Sequence, residues 1–292
     1  MTVPYMKNTA DRYKRLGYEP YRWFLADGAP SWAPLARPLG VARVGLLCTA
    51  GVYSVGQVAY HYKDDSSIRA IRSATPDALL RFAHVTENFL SDARRDPQCL
   101  VPTAALRRLA DEGVIGSLAD TFYSCMGGVY SQRRVREELA PALLEAFGAQ
   151  AVDAVLLVAM CPVCHQSVCL VARHLEAAGI PTMCLGSAFD ILSAGRAPRA
   201  TFVDYPLGHS AGKAFDRDDQ HAIVRAAMLG FTTMVQPGEI ARLPNRWADS
   251  EDWKSRDGAP ERGDTRQPRD EAPRFQLPGD RDAAIASGAL RA

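Results

Sequence analysis

The chain lacks any apolar run of the length a membrane span needs, and it lacks an excess of charge of either sign. Its 34 Lys and Arg stand against 33 Asp and Glu, mixed along the sequence for a net charge of +1. That balance leaves no basic footprint for nucleic acid, and the shortness of the apolar runs argues against a helical membrane anchor. The opening stretch, MTVPYMKNTADRYKRLGYEP, puts no apolar core behind its basic residues, so no secretory signal is expected and the protein is assigned to the cytoplasm. In that reducing compartment seven cysteines, an odd number, do not read as a disulfide framework. A second CxxC pair is also missing. Structural zinc takes four ligands, and the one pair, with Cys169 and His165 nearby, does not supply a convincing set, so no metal is expected.

What is present is the composition of a globular protein: 47% apolar and 23% charged over 292 residues, enough to build a real core. The run ARVGLLCTAGVY (42–53) reads as a buried strand ending in a glycine-bearing loop. PDALLRFAHVTENFLSDA fits helix and strand equally. TAALRRLADEGVIG, after Pro102, reads as a helix capped by Thr103 and ended by Gly113; a second is expected at 131–147, capped by Ser131, stopped at Gly148 and bent at Pro141. AVDAVLLVAM then reads as a buried strand, HQSVCLVARHLEAAG as a helix closed by Gly179, and IPTMCLG as another strand. Strand, helix and strand in so few residues require a crossover and a parallel pair.

The expected fold is therefore α/β: an open, mostly parallel sheet with helices on both faces. An apolar strand ending in small residues occurs twice, at 44–51 and 152–160, which suggests two similar half-sheets. Beyond about Arg242 the chain turns rich in Asp, Arg, Pro and Gly, so residues 1–245 are assigned to the α/β domain and 246–292 to a largely disordered tail, in which Trp247 and Trp253 can dock locally.

Chemistry concentrates in AMCPVCHQSVC (159–169). Cys169, like Cys48 and Cys184 in the strands, suits a small buried apolar role. Cys161 and Cys164 instead occupy a strand-to-helix turn, the edge where open α/β sheets bind ligands. A helix N-terminus offers unpaired N–H groups and a partial positive charge, both of which favour a thiolate. Cys161 is thus the expected nucleophile and Cys164, one turn on, the thiol that resolves its adduct; Pro162 suits a first helical position. His165 is either a proton donor or a solvated first-turn residue, and for His61 and His84 a purely structural role is preferred. Thioredoxin-like folds share the local chemistry but not the spacing to Pro181.

Several separated motifs, in one order, carry a resemblance. VGLLCTAGVY, DDSSIRAI, LRRLADEGVIGSLADTFYSCMGG, VDAVLLVAMCPVC, ARHLEAAGIPTMCLG and VDYPLG together resemble the selenoprotein B subunits of the glycine, sarcosine and betaine reductases and the related D-proline reductase subunit, from about 42 to 235. In that family a selenocysteine begins the U-x-x-C stretch and its selenolate attacks the carbon bearing the amine; Cys161 stands at the matching position. The resemblance implies a thiol-dependent reductase of a small amine-type substrate. It also implies an external dithiol or thioredoxin-like donor, and either a partner subunit bearing a pyruvoyl group or a substrate already activated. No bound cofactor is expected, and a homo-oligomer or larger complex is. Loops expected at the same sheet edge, CTAG, YSCMGG and YPLGHS, nominate Thr49, Gly51, Tyr123, Ser124, Gly127, Tyr205 and His209 for substrate binding, with Cys125 as a further thiol. The competing reading is a non-catalytic protein whose CxxC pair only senses redox state; a concave pocket beside Cys161 separates the two.

Overall fold

A computed structural model of the chain describes residues 2–257 and 267–291. The apolar runs become the sheet. β1 (Arg43–Cys48), β7 (Ala154–Val158) and β8 (Thr182–Gly186) are buried almost end to end, as central parallel strands covered on both faces must be. Around them lie β2 (Val52–Ser54), β3 (Arg69–Arg72), β4 (Leu80–Phe82), β5 (Ser117–Leu118), β6 (Thr121–Ser124), β9 (Arg199–Phe202) and β10 (Glu239–Arg242). The main sheet runs β10-β9-β8-β7-β1-β6-β3, with β5 beside the start of β1; every pairing is parallel except β3 with β6. β2 and β4 form a separate antiparallel pair.

The helices are α1 (Tyr5–Arg15), α2 (Thr103–Asp111), α3 (Gln132–Arg134), α4 (Ala140–Ala149), α5 (Pro162–Ala177), α6 (Phe189–Gly195), α7 (Arg217–Thr233), α8 (Asp252–Asp257) and α9 (Pro278–Ala286). Both sheet faces are covered. In β8, Cys184 Sγ meets the Val168 carbonyl of α5, whereas Met183 packs beside Gly230 of α7, and successive strand residues point to opposite faces. The α/β expectation is met. The two apolar strands are neighbours at the centre of one sheet, Leu47 opposite Leu157, with β6 and β3 beyond β1 and β8, β9 and β10 beyond β7.

Local signals hold in part. Ser131 does cap its helix, accepting from Arg134 N–H. The bend expected at Pro141 takes the form of a π turn over Val135–Leu139, just before the residue that has no N–H to give. That helix passes through Gly148 and ends where Ala151 turns left-handed, at φ 49°. Thr103 is the first helical residue rather than the cap; the Gln98 side chain accepts from Ala104 N–H at 2.8 Å instead. The ambiguous stretch 76–93 is short strand β4 between 3₁₀ turns.

Much of the expected tail is packed. Trp253 joins a cluster with Val3, Tyr5, Ile191 and Leu207, and Trp247 lies against the rings of Tyr205 and His209. Asp280 at the start of α9 is buried against Tyr53 and Arg81, and Gln276 accepts from Phe82 N–H, so the C-terminal segment covers the β2–β4 pair. Apolar neighbours and an Asp–Arg–Tyr network offset an ordering cost that composition alone suggested would be unmet. The remainder of the expected tail, 258–266 and Ala292, lies outside the described residues.

Candidate active site

The strand order defines where a ligand can enter. From β1 the chain runs out to the edge strand β3 and comes back to β6 beside β1, then places β7 on the other side of β1 and continues outward to β10. The loops leaving β1 and β7 therefore diverge, and the crevice at the carboxyl ends of these two strands is the switch point of the sheet. The CxxC pair sits there.

Cys161 is the N-cap of α5, with Pro162 in the first helical position, and its sulfur accepts from Cys164 N–H at 3.2 Å. The two sulfurs are 2.8 Å apart. Both residues are buried, but they face different ways. Cys161 lines a cavity of about 70 Å³ walled by Val85, Thr86, Phe89, Tyr130 and Val163 and roofed by Thr9, Arg12 and Tyr13 of α1. Cys164 lies behind it, 3.3 Å from the Thr49 carbonyl and 3.3 Å from His84 Nε2.

His84 is oriented by its other nitrogen. Thr86 N–H donates to Nδ1 at 3.1 Å, which puts the ring proton on Nε2, directed at the Cys164 sulfur. The two thiols consequently diverge. Burial drives Cys161 well above the ordinary thiol range, and the adjacent Cys164 sulfur adds to the effect. Burial also acts to raise Cys164, but the Cys161 thiol and His84 overcome it and hold Cys164 well below that range. The two sulfurs are close enough to share one proton, and these directions favour Cys164 as the more acidic of the pair.

Of the residues expected here, Thr49 and Gly127 meet the pair. Thr49 Oγ1 donates to the Val158 carbonyl and accepts from Met160 N–H, tying the end of β1 to the end of β7. Gly127 has φ 61°, and a Cβ there would lie 2.5 Å from the Thr49 carbonyl and 2.9 Å from Cys164 Sγ. A Gly127→Ala chain is expected to lose about 1–3 kcal/mol by overpacking against backbone that cannot yield, measured by urea unfolding.

The others lie elsewhere. Gly51 bonds to Cys125 and Ala83 through its backbone; Tyr123 donates to the Ala146 carbonyl and packs on Phe147; Ser124 Oγ accepts from Val52 N–H. Tyr205 bonds to Asp219 and His209 to Asp92, and none of these five residues lines the cavity. Cys125 is buried, and burial raises its thiol above the ordinary range.

His165 is neither solvated nor turned toward the sulfur of Cys161. It is fully buried, Nδ1 bonds the Cys161 carbonyl at 2.7 Å, and Nε2 accepts from Ser187 N–H at 2.8 Å and Ala188 N–H at 3.1 Å. Nε2 as acceptor leaves the proton on Nδ1, so the ring pins the start of α5 to the loop after β8. Burial pushes its pKa down to about 4 from the ordinary 6.5. The unfolded chain therefore binds an extra proton between those values. Stability from this group is complete above pH 6.5 and is lost as the pH falls toward 4, by about 3 kcal/mol in all. Urea unfolding across that interval should show the loss, and His165→Gln should flatten it.

His84, for which the sequence favoured a purely structural role, is the further residue at this site. It stands 80 positions before Cys164, with no spacing that links the two.

These features define an α/β protein with a dithiol at its switch point, one sulfur facing a cavity and the other backed by an imidazole. Residues 87–160 match the family described as glycine/sarcosine/betaine reductase selenoprotein B, a match ending immediately before Cys161. The chain is 30% identical over 217 residues to the D-proline reductase subunit gamma of Acetoanaerobium sticklandii, covering 74% of this chain and 88% of that one. It is 26% identical over 211 residues to the glycine reductase complex component B subunit gamma of Symbiobacterium thermophilum, and 32% identical over 123 residues to the sarcosine reductase complex component B subunit beta of Peptoclostridium acidaminophilum. The chain spans only 49% and 27% of those two longer relatives. It belongs to the family of glycine, sarcosine, betaine and D-proline reductase subunits. Among the described residues no helix is long and apolar enough to cross a membrane.

Proposed function

We propose that this chain is the thiol-bearing subunit of a cytoplasmic reductase complex, and that it cleaves the C–N bond of a small amine-type substrate with cysteine standing where the family uses selenocysteine. The observation that carries this reading is the asymmetry of the pair: Cys161 faces the cavity, while Cys164 lies 2.8 Å behind it with His84 Nε2 3.3 Å from its sulfur.

The Cys161 sulfur attacks the carbon bearing the amine as its proton passes to the Cys164 thiolate. A sulfur–carbon bond forms, the carbon–nitrogen bond breaks, and its electron pair leaves with nitrogen, which takes the proton from Cys164. The restored Cys164 thiolate, again facing His84 Nε2–H, attacks the Cys161 sulfur. A disulfide forms, the sulfur–carbon bond breaks, and the carbon keeps the pair and takes a proton from solvent. The substrate gains two electrons, the dithiol loses two, and an external dithiol or thioredoxin-like protein restores the pair. The proton donor is Cys164, backed by His84, and not His165, whose two ring nitrogens are already committed to backbone.

A thiolate is a weaker nucleophile than a selenolate, so the amine must be activated before attack. A carbonyl-bearing partner subunit fits that need, and the relatives' names as components and subunits of complexes support such an assembly.

The test offers glycine, sarcosine and D-proline, each free and as a preformed condensation product with pyruvamide, to the reduced chain with dithiothreitol. C–N cleavage matched one-for-one by dithiol oxidation supports the reading. Disulfide cycling with no cleavage of any activated substrate sinks it in favour of a redox sensor.

A further inference from the structure

His84 changes what the cysteine pair can hold. His84 Nε2, Cys161 Sγ and Cys164 Sγ lie within 4.8 Å of one another, and all three residues are buried. Two thiolates and one imidazole suit borderline-soft divalent ions, and three protein ligands with a fourth position open is the pattern of reactive zinc sites. We propose that the reduced chain binds one zinc ion through Cys161 Sγ, Cys164 Sγ and His84 Nε2, its fourth position facing the cavity beneath α1, so that metal and disulfide are mutually exclusive states of the same pair.

The surroundings fit an exchangeable ion better than a permanent one. Two zinc–sulfur bonds at a tetrahedral angle set the sulfurs about 3.8 Å apart. From the present 2.8 Å, Cys161 must rotate toward the cavity and loosen its bond from Cys164 N–H. The cavity of about 70 Å³ gives that movement room and leaves space for a water or a small ligand on the ion. Ligation through Nε2 moves the imidazole proton to Nδ1, where Thr86 Oγ1 at 2.9 Å can accept it. Thr86 N–H, now 3.1 Å from Nδ1, then loses its acceptor, which weakens the metal state against the metal-free one. Gly127 and Gly128 keep the space beside Cys164 and His84 clear: a Cβ at Gly128 would lie 3.0 Å from His84 Nε2.

Binding releases the thiol proton to solvent and involves no electron transfer. An ion in place occupies the sulfur lone pairs that attack on a substrate would use. Oxidation to the disulfide removes both thiolate ligands, so the redox state of the pair decides whether a metal can enter. The proposal needs the reduced pair but not turnover, so it stands or falls separately from the reductase reading.

The experiment titrates the full-length reduced chain with cobalt(II) under anaerobic conditions, following thiolate-to-cobalt charge transfer, and then displaces cobalt with zinc. One equivalent of cobalt should give the charge-transfer and tetrahedral d–d bands, and one of zinc should abolish them. The oxidised chain, Cys161→Ser and Cys164→Ser should lack the two-thiolate spectrum. His84→Gln should bind more weakly by at least the roughly 10–100-fold that loss of even an outer-shell partner costs. Cys169→Ser should bind as the unsubstituted chain does. Circular dichroism of each variant shows that it is folded. The proposal is overturned if the folded, reduced chain gives no charge-transfer band, if the band survives either cysteine substitution, or if His84→Gln leaves the affinity unchanged.

Discussion

Replacing Cys161 with serine will lower reductive C–N cleavage by at least about a thousandfold, the scale on which enzymes lose their nucleophile. A serine hydroxyl at the N-cap keeps the acceptor that Cys164 N–H needs, so α5 should still start at the same place. What is lost is the atom that faces the cavity. Cys164→Ser acts at both steps: it slows the first, whose proton Cys164 relays from Cys161 to nitrogen, and blocks the second, because nothing behind Cys161 can attack its sulfur. That variant should accumulate a thioether on Cys161 slowly, and faster as the pH rises to ionise Cys161 unaided, to one per chain, read by intact-mass and peptide mass spectrometry. Loss of turnover in both variants with no adduct in Cys164→Ser, even on long incubation at a pH that ionises an ordinary thiol, would sink the two-step sequence, because it would show that no bond to substrate forms at Cys161. Alkylation against pH separates the roles further. Because Cys161 faces the cavity and His84 favours the ionised form of the thiol behind it, small reagents should modify Cys161 in the unsubstituted chain, and the acid limb of that reaction should shift upward in His84→Gln, which removes the donor 3.3 Å from Cys164.

The part of this site that is written locally was legible. A strand ending in small residues, then Cys-Pro-x-Cys, then an amphipathic helix closed by glycine, is local grammar, and β7, α5 and β8 follow it to within about three residues. Helix charge then pointed to an activated thiol, but a dipole acts on whichever sulfur is near the helix start and does not choose between two of them. The choice is made by His84, delivered from the loop after β4, and no periodicity or spacing reports a contact across 80 residues. Tyr123 and Ser124 were drawn to the site because a glycine-rich loop follows them. They belong to the last turn of strand before that loop, where the Ala146 carbonyl and Val52 N–H occupy them. His165 misled for the opposite reason: adjacency to Cys164 in sequence places it on another side of the helix, facing the backbone of residues 187 and 188.

The other large effect is expected at the far end of α5. Glu176 in its last turn is buried with Arg199 of β9 at 2.5 Å, accepts from Ala33 N–H and from both the N–H and hydroxyl of Thr182, and Arg199 in turn lies 3.4 Å from the ring of Trp32. One carboxylate thus joins the N-terminal segment, the helix and two strands. Burial pushes the Glu176 carboxyl up and the Arg199 guanidinium down, each against the pull of its partner, so desolvation outweighs the attraction between them. Such a pair adds little net stability, yet cutting it leaves a buried charge without compensation. Glu176→Ala should therefore cost about 3–5 kcal/mol in urea unfolding, whereas the double substitution Glu176→Met with Arg199→Met should recover most of that loss. Additive losses in the double variant would show that the four hydrogen-bonded segments, and not the stranded charge, carry the cost. Because α5 is pinned by His165 at its start and by Glu176 at its end, a chain weakened at Glu176 alone should keep the 2.8 Å sulfur pair and its reactivity until global unfolding. Cys161 alkylation rates in Glu176→Ala, measured well below the unfolding midpoint, should match those of the unsubstituted chain; a rise there would mean that the dithiol depends on the whole helix and not on its first turn.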